Sequence, residues 1–207
     1  LGEKGQKTEL LGPLMEGKLQ LACAYAETGS RFNLSNVTTT ATVEGDQVRL
    51  NGEKINVLNG SNADKLLLVA RESGAQTDRN GISIFLVDND SDGLSIQPYT
   101  NVDGKKAAQV SFASVSVPLS ARLGEAGGAL PALEAVIDRA TVAVSAEAVG
   151  ALEVLLQKTV EYKHFGQKTG ISMKMGKEFL ERPCLNGLKN LEYRFSHFSI
   201  FNKINFF

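Results

Sequence analysis

The chain has 207 residues and 43% hydrophobic content, enough for one sizeable core or two small ones. A formal net charge of −1 offers no global attraction for nucleic acid or anionic lipid. Its two cysteines, Cys23 and Cys184, are too far apart for metal-type spacing and fit a reducing, cytoplasmic compartment.

Residues 1–22 are Gly- and Lys-rich and turn apolar at "LQLACAY", which predicts a loose lead-in followed by a short buried segment. The opening "LGEKGQKTEL" has no signal-peptide pattern, and no run reads as a membrane span. A start without Met is expected of a fragment.

A polar, turn-forming loop follows, "AYAETGSRFNLS", residues 24–35. Its position directly before strands suits a loop that holds a ligand against a sheet. The sequons at Asn33, Asn36, Asn59 and Asn89 carry no weight without a secretory signal.

From about 36 to 118 the texture is β: "NVTTTATVE", "DQVRL", "KINVL", "KLLLVAR", "ISIFLVD", "LSIQ", "AAQVSF" and "SVSV" are short and β-branched. Asn51-Gly52 predicts a tight hairpin, and Asn80-Gly81 and Asp103-Gly104 predict further turns. With no helix between them, the strands are expected to form a largely antiparallel barrel or sandwich. The aspartates Asp88, Asp90 and Asp92 mimic a calcium loop, but no Glu stands at the twelfth position, so a solvated turn is expected and no metal site.

At Gly124 the texture becomes helical. "GEAGGAL" opens no βαβ unit and is not a dinucleotide fingerprint. Leu130, Leu133, Ile137, Val144, Leu152, Leu156 and Val160 recur at helical spacing and predict a helix over 129–163. At 1.5 Å per residue it spans about 52 Å, more than the β domain covers, so other helices are expected beside it. Within the chain only "ISMKMGKEFLERP" offers one. Asp138, Arg139 and Glu147 read as its polar face, and His164 as a helix-end histidine. Five Phe fall within residues 195–207. That tail fits a membrane-surface anchor, a core strand, or sequence foreign to the parent fold.

Loop, β domain and long helix, in that order, resemble the acyl-CoA dehydrogenase family. "YAETGSRFNLSNVTTTA" is similar to the family's flavin loop and first barrel strand, and "NGEKINVLNGSNAD" to its Gly-x-Lys-x-(Trp)-(Val/Ile)-(Thr)-Asn-Gly element. "GISIFLVDNDSDGLSI", "FASVSVP" with "LGEAGGAL", and "AEAVGALEVLLQKTVEY" resemble the closing strand, the passage to the bundle and its first helix. The implied fold is α+β: an antiparallel β-barrel or sandwich followed by one long helix of a four-helix bundle. The implied domains are the end of an N-terminal helical domain (1–22), the middle β domain (23–120), the start of the C-terminal helical domain (121–182) and an atypical tail (183–207).

The resemblance implies FAD, with Tyr25, Ala26, Glu27, Thr28, Gly29, Ser30, Asn56, Val57, Leu58 and Phe165 at the flavin, and a Ser30 hydroxyl free to donate to flavin or substrate. It implies α,β-dehydrogenation of an acyl-CoA thioester, an electron-transfer acceptor, and a homo- or hetero-oligomer. A turn or N-cap hydroxyl is the alternative for Ser30, a solvated or capping carboxylate for Glu27, and plain strand residues for positions 56–58.

Departures from the family pattern qualify this. Gly29-Ser30-Arg31-Phe32 replaces the common Gly-Ser-Asp and resembles bacterial small subunits, including those acting on dicarboxylyl-CoA. Asn56 stands at the usual Trp and Leu58 at the usual Thr. "EYKHFG" is shorter than the family's helix end by about one helical turn and lacks its pyrophosphate-binding Arg. Ala140 occupies one position where relatives carry the catalytic Glu, so no catalytic base is assigned. The chain alone is therefore expected to be inactive; the alternatives are a non-catalytic small subunit or a flavin-free β module.

Overall fold

A computed structural model describes the backbone of residues 1–168 and the side chains of residues 1–162. "ISMKMGKEFLERP", the Phe-rich tail, His197 and the side chains of His164 and Phe165 lie outside the described residues. The chain forms two units, Leu1–Thr141 and Val142–Phe207.

The first unit starts with helix α1 (Lys4–Met15), where a loose lead-in was expected. The Glu3 amide donates to Gln6 Oε1 at 2.8 Å and closes the first turn. That local device overrides the two glycines in the segment. Seven strands follow: β1 (Leu21–Ala24), β2 (Thr40–Glu44), β3 (Gln47–Leu58), β4 (Lys65–Arg71), β5 (Ile82–Asp88), β6 (Leu94–Thr100) and β7 (Lys106–Pro118). Their order is β1-β4-β2-β3-β7-β6, with β5 on the other edge of β4. Helix α2 (Leu130–Lys168) comes last. The result is a mixed half-barrel followed by one long helix.

Most neighbouring strands are antiparallel, as expected. β1 is the exception: it runs parallel to β4, Leu21 opposite Lys65 through Ala24 opposite Leu68, and a single parallel bridge joins Thr40 to Arg71. A four-residue strand with a distant parallel partner leaves no turn signal in sequence.

Asn51-Gly52 makes no hairpin. The hairpin turn is Gly45-Asp46, between the paired Glu44 and Gln47. "DQVRL" and "KINVL" are one strand, β3, and "AAQVSF" and "SVSV" are one strand, β7. Asn51-Gly52 sits at a bulge inside β3, where the register against β7 slips between Leu50 and Gly52. Asn51 Oδ1 accepts from the Ser114 amide at 2.8 Å. Gly52 has φ 145°, and a Cβ there would lie 2.7 Å from Thr39 Cα. The glycine is required because the end of the 25–39 loop crosses β3 at that point. Asp103-Gly104 does turn β6 into β7, with the Gly104 amide on Asn101 O at 2.9 Å.

β4 and β5 are buried on both faces. Leu66, Leu68, Ala70, Phe85 and Val87 join the core formed with β3 and β7. Val69, Ile82 and Ile84 face Val37 and the start of α2, Leu130 and Leu133. Each of these larger apolar side chains contributes about 1.5–3 kcal/mol relative to exposure. This two-sided burial explains the near-continuous apolar runs "KLLLVAR" and "ISIFLVD".

In the second unit α2 exposes Val144, Val149, Leu155 and Leu156. By length and composition alone, Leu130–Tyr162 suffices to cross a membrane, contrary to the sequence reading. Asp138, Arg139, Glu147, Glu153, Lys158 and Glu161 spread along it, and its first turns are buried against β4 and β5. Both features suit a helix packed in protein.

Candidate functional site

The loop between β1 and β2 carries most of the residues expected at a ligand. Glu27 is 4% exposed and Lys54, on β3, is fully buried. Lys54 Nζ lies 2.6 Å from Glu27 Oε1. The rest of the carboxylate is saturated: the Thr38 amide donates to Oε2 at 2.7 Å together with the Thr38 hydroxyl, and the Thr39 amide and hydroxyl donate to Oε1 at 3.0 and 2.7 Å. Burial raises the Glu27 pKa, but the Lys54 charge and the hydrogen bonds from Lys54, Thr38 and Thr39 outweigh it and hold the carboxyl at about 2. Burial pushes the Lys54 ammonium below its ordinary range, with the Glu27 carboxylate opposing. The alternative of a solvated carboxylate at Glu27 therefore does not hold; it caps the Thr38 and Thr39 amides and anchors a cation.

Around this pair the loop is sewn to β3. The Ile55 amide donates to Ala26 O at 2.9 Å, and Lys54 Nζ reaches Tyr25 O at 3.5 Å. Tyr25, Ala26 and Glu27 thus lie alongside Lys54, Ile55 and Asn56. Beyond them the chain turns sharply. Ser30 Oγ donates to Glu27 O at 2.9 Å, accepts from the Glu27 amide at 3.1 Å, and is buried. The hydroxyl expected to be free closes the turn instead. Thr28 and Gly29 form the exposed apex. Arg31 (φ 47°) and Phe32, 99% exposed, follow it.

On β3 the register against β7 slips again between Lys54 and Val57. Asn56 takes φ 50°, a left-handed conformation that Asn tolerates. The bulge turns Val57 into the core and leaves Asn56 and Leu58 exposed. Asn101 Nδ2 donates to Asn56 Oδ1 at 3.0 Å.

The Ala26–Ile55 hydrogen bond brings the start of the 25–30 loop alongside β3 next to residues 56–58, of which Val57 enters the core while Asn56 and Leu58 stay exposed; Phe165 lies outside the described side chains. Lys54, Thr38 and Thr39 were not among the expected site residues. A signal existed: a lysine in a strand whose inward positions are otherwise apolar, and a threonine run before it. Among the described residues, no group of three or more His, Cys, Asp or Glu is placed to hold a metal. The exposed members of the expected set are Thr28 and Gly29 at the loop apex and Asn56 and Leu58 on β3: a hydroxyl, backbone groups, an amide and one apolar side chain. That donor set suits a flat heteroaromatic ring with a polar edge, such as a flavin.

The family model for the acyl-CoA dehydrogenase middle domain matches residues 22–115. The mitochondrial long-chain specific acyl-CoA dehydrogenase of Rattus norvegicus is 30% identical over 174 residues, 80% of this chain and 40% of that protein. Subunit CarC of the caffeyl-CoA reductase–Etf complex of Acetobacterium woodii is 28% identical over 174 residues, 81% of this chain and 46% of that protein. Among solved structures, the Tcur3481-Tcur3483 steroid ACAD is 26% identical with a TM-score of 0.70, covering 80% of this chain and 43% of its own. The chain spans less than half the length of each of these relatives. Residues 22–115 are an acyl-CoA dehydrogenase middle domain, and the relatives and solved structures that the chain resembles are acyl-CoA dehydrogenases and related acyl-CoA enzymes.

Proposed function

We propose that this chain contributes the flavin-facing β domain of an FAD-dependent acyl-CoA dehydrogenase that introduces an α,β double bond into an acyl-CoA thioester. The observation that carries the reading is the Glu27–Lys54 pair. It fastens the start of the 25–30 loop to β3 at Lys54, just before Asn56 and Leu58 in that strand. A bound FAD would supply the acceptor for the hydride that leaves the β-carbon. The chain's own residues would hold and orient it: backbone groups and the Thr28 hydroxyl at the loop apex would meet the polar edge of the ring, and Leu58 would supply apolar surface. Val57 and Lys54, both buried, anchor this stretch of β3 in the core.

Glu27 is not the base that removes the α-proton. Its oxygens are saturated by five donors, and a conjugate acid with a pKa of about 2 makes it a weak proton acceptor. Glu27 therefore holds the loop in place rather than accepting a proton. Relatives named as parts of an Etf complex and of a two-protein steroid enzyme support an electron-transfer acceptor and a hetero-oligomer for this chain as well.

A second reading is a non-catalytic subunit that completes a partner's site. The "EYKHFG" segment without the family Arg, and Ala140 at a base position, favour it. Titration with FAD, followed by flavin fluorescence and by anaerobic bleaching with acyl-CoAs, separates the two. Binding with bleaching supports the first reading. Flavin bound only when a partner subunit is added supports the second. No flavin under either condition overturns both.

A further inference from the structure

Arg71 ends β4 and is buried, yet among the described residues its guanidinium meets no carboxylate. It donates instead to six backbone carbonyls. Nε reaches Val37 O at 3.2 Å. Nη2 reaches Ser35 O at 2.7 Å, Gln76 O at 2.9 Å and Asp78 O at 3.0 Å. Nη1 reaches Ser73 O at 3.2 Å and Asn80 O at 3.1 Å. The Arg71 amide donates to Thr39 O at 2.8 Å. A buried cation is costly unless its donors are satisfied, and here two irregular segments, 35–39 and 73–80, fold around it to satisfy them.

The 35–39 segment is also the one that Glu27 holds. Arg71 takes its carbonyls at Ser35 and Val37 through the side chain and at Thr39 through the amide, while Glu27 takes its amides at Thr38 and Thr39. One stretch of extended backbone, outside any strand until Thr40, is gripped from both sides by a buried cation and a buried anion that do not touch each other.

We propose that Arg71 is a positioning residue for the 25–30 loop, acting on Glu27 through residues 35–39 without contacting any ligand. The functional consequence rests on the reading of 25–30 as the flavin loop. Lysine cannot substitute, because three donors from one point do not reproduce a planar five-donor fork.

The test uses the full chain as wild type, Arg71→Lys, Glu27→Gln and the double variant. Two readouts are taken: amide hydrogen exchange residue by residue, and FAD affinity. In Arg71→Lys, exchange at Thr38 and Thr39 is expected to rise about tenfold or more, the size of one lost charge-assisted hydrogen bond, while the Leu68 and Val110 ladder amides hold. FAD affinity is expected to fall, and the double variant to lose less than the sum of the two single losses, since both act through one segment. A uniform rise at all amides, unchanged Thr38 and Thr39, or additive losses overturns the proposal. If wild type binds no FAD, the functional reading fails while the exchange arm still decides the role of Arg71. Should Arg71→Lys not fold, wild-type exchange in mild denaturant decides instead. The Val37, Thr38, Thr39 and Arg71 amides are expected to open together, and different denaturant slopes among them overturn the proposal.

Discussion

Lys54 Nζ and Glu27 Oε1 are 2.6 Å apart, and neither side chain has appreciable contact with solvent. The pair joins a loop to a strand 27 residues later in the chain, so its loss uncouples the candidate site from the sheet that supports it. Removing one partner leaves the other buried and unpaired. Glu27→Gln or Lys54→Met is expected to destabilise the first unit by about 3–5 kcal/mol. The double variant is expected to lose clearly less than the sum of the singles. Urea unfolding of all three checks this, and singles costing less than about 1 kcal/mol, as for a surface pair, would mean that water reaches the site.

The same carboxylate sets an acid limit. Its folded pKa of about 2 lies below the ordinary value of 4.5. A depressed acid pKa gives stability that is fully present above the unfolded value and disappears as pH falls through the folded one. Wild type is therefore expected to lose stability between about pH 4.5 and pH 2, and Glu27→Gln to have a flatter profile across that window. Equal slopes in urea titrations over this range would show that Glu27 is not the group responsible.

Gly52 and Gly45 provide a matched pair. A Cβ on Gly52 lies 2.7 Å from Thr39 Cα, whereas one on Gly45 meets nothing within 4 Å. Both have positive φ, 145° and 63°. Gly45→Ala is expected to cost about 1–2 kcal/mol from the left-handed backbone alone. Gly52→Ala is expected to cost about 1–3 kcal/mol more from the clash and to raise amide exchange at Thr39. Equal melting temperatures for the two variants would contradict the close approach.

The exposed apolar side chains of α2 predict association. Leu152, Leu155, Leu156 and Val160 each leave over a third of their surface accessible, and a contiguous apolar face of this kind marks an interface. The chain is expected to sediment as a concentration-dependent oligomer. Leu152→Glu with Leu156→Glu, one turn apart, should shift it toward monomer without changing the β-sheet signal in circular dichroism. Monomeric wild type at high concentration would count against this.

The sequence alone determined the β texture of 36–118, the Asp103-Gly104 turn and the long helix, and it singled out 25–30 and 56–58 as candidates. Each is a local property: strand-forming side chains, a turn dipeptide, a period near 3.6, a short motif. Tertiary structure decided the rest. Asn51-Gly52 has hairpin chemistry, yet Gly45-Asp46 makes the hairpin, because the close passage of Thr39 needs the space that only Gly52 leaves. β1 pairs in parallel with β4, a choice set by the return path of the loop and not by four residues of strand. Ser30 reads as a free hydroxyl but is consumed by its own turn. Lys54 and Arg71, charged residues that on their own would be placed at the surface, are buried because distant backbone and one carboxylate converge on them. Burial of a charge depends on partners that lie 27 and 36 residues away in the chain, and no local pattern encodes their arrival.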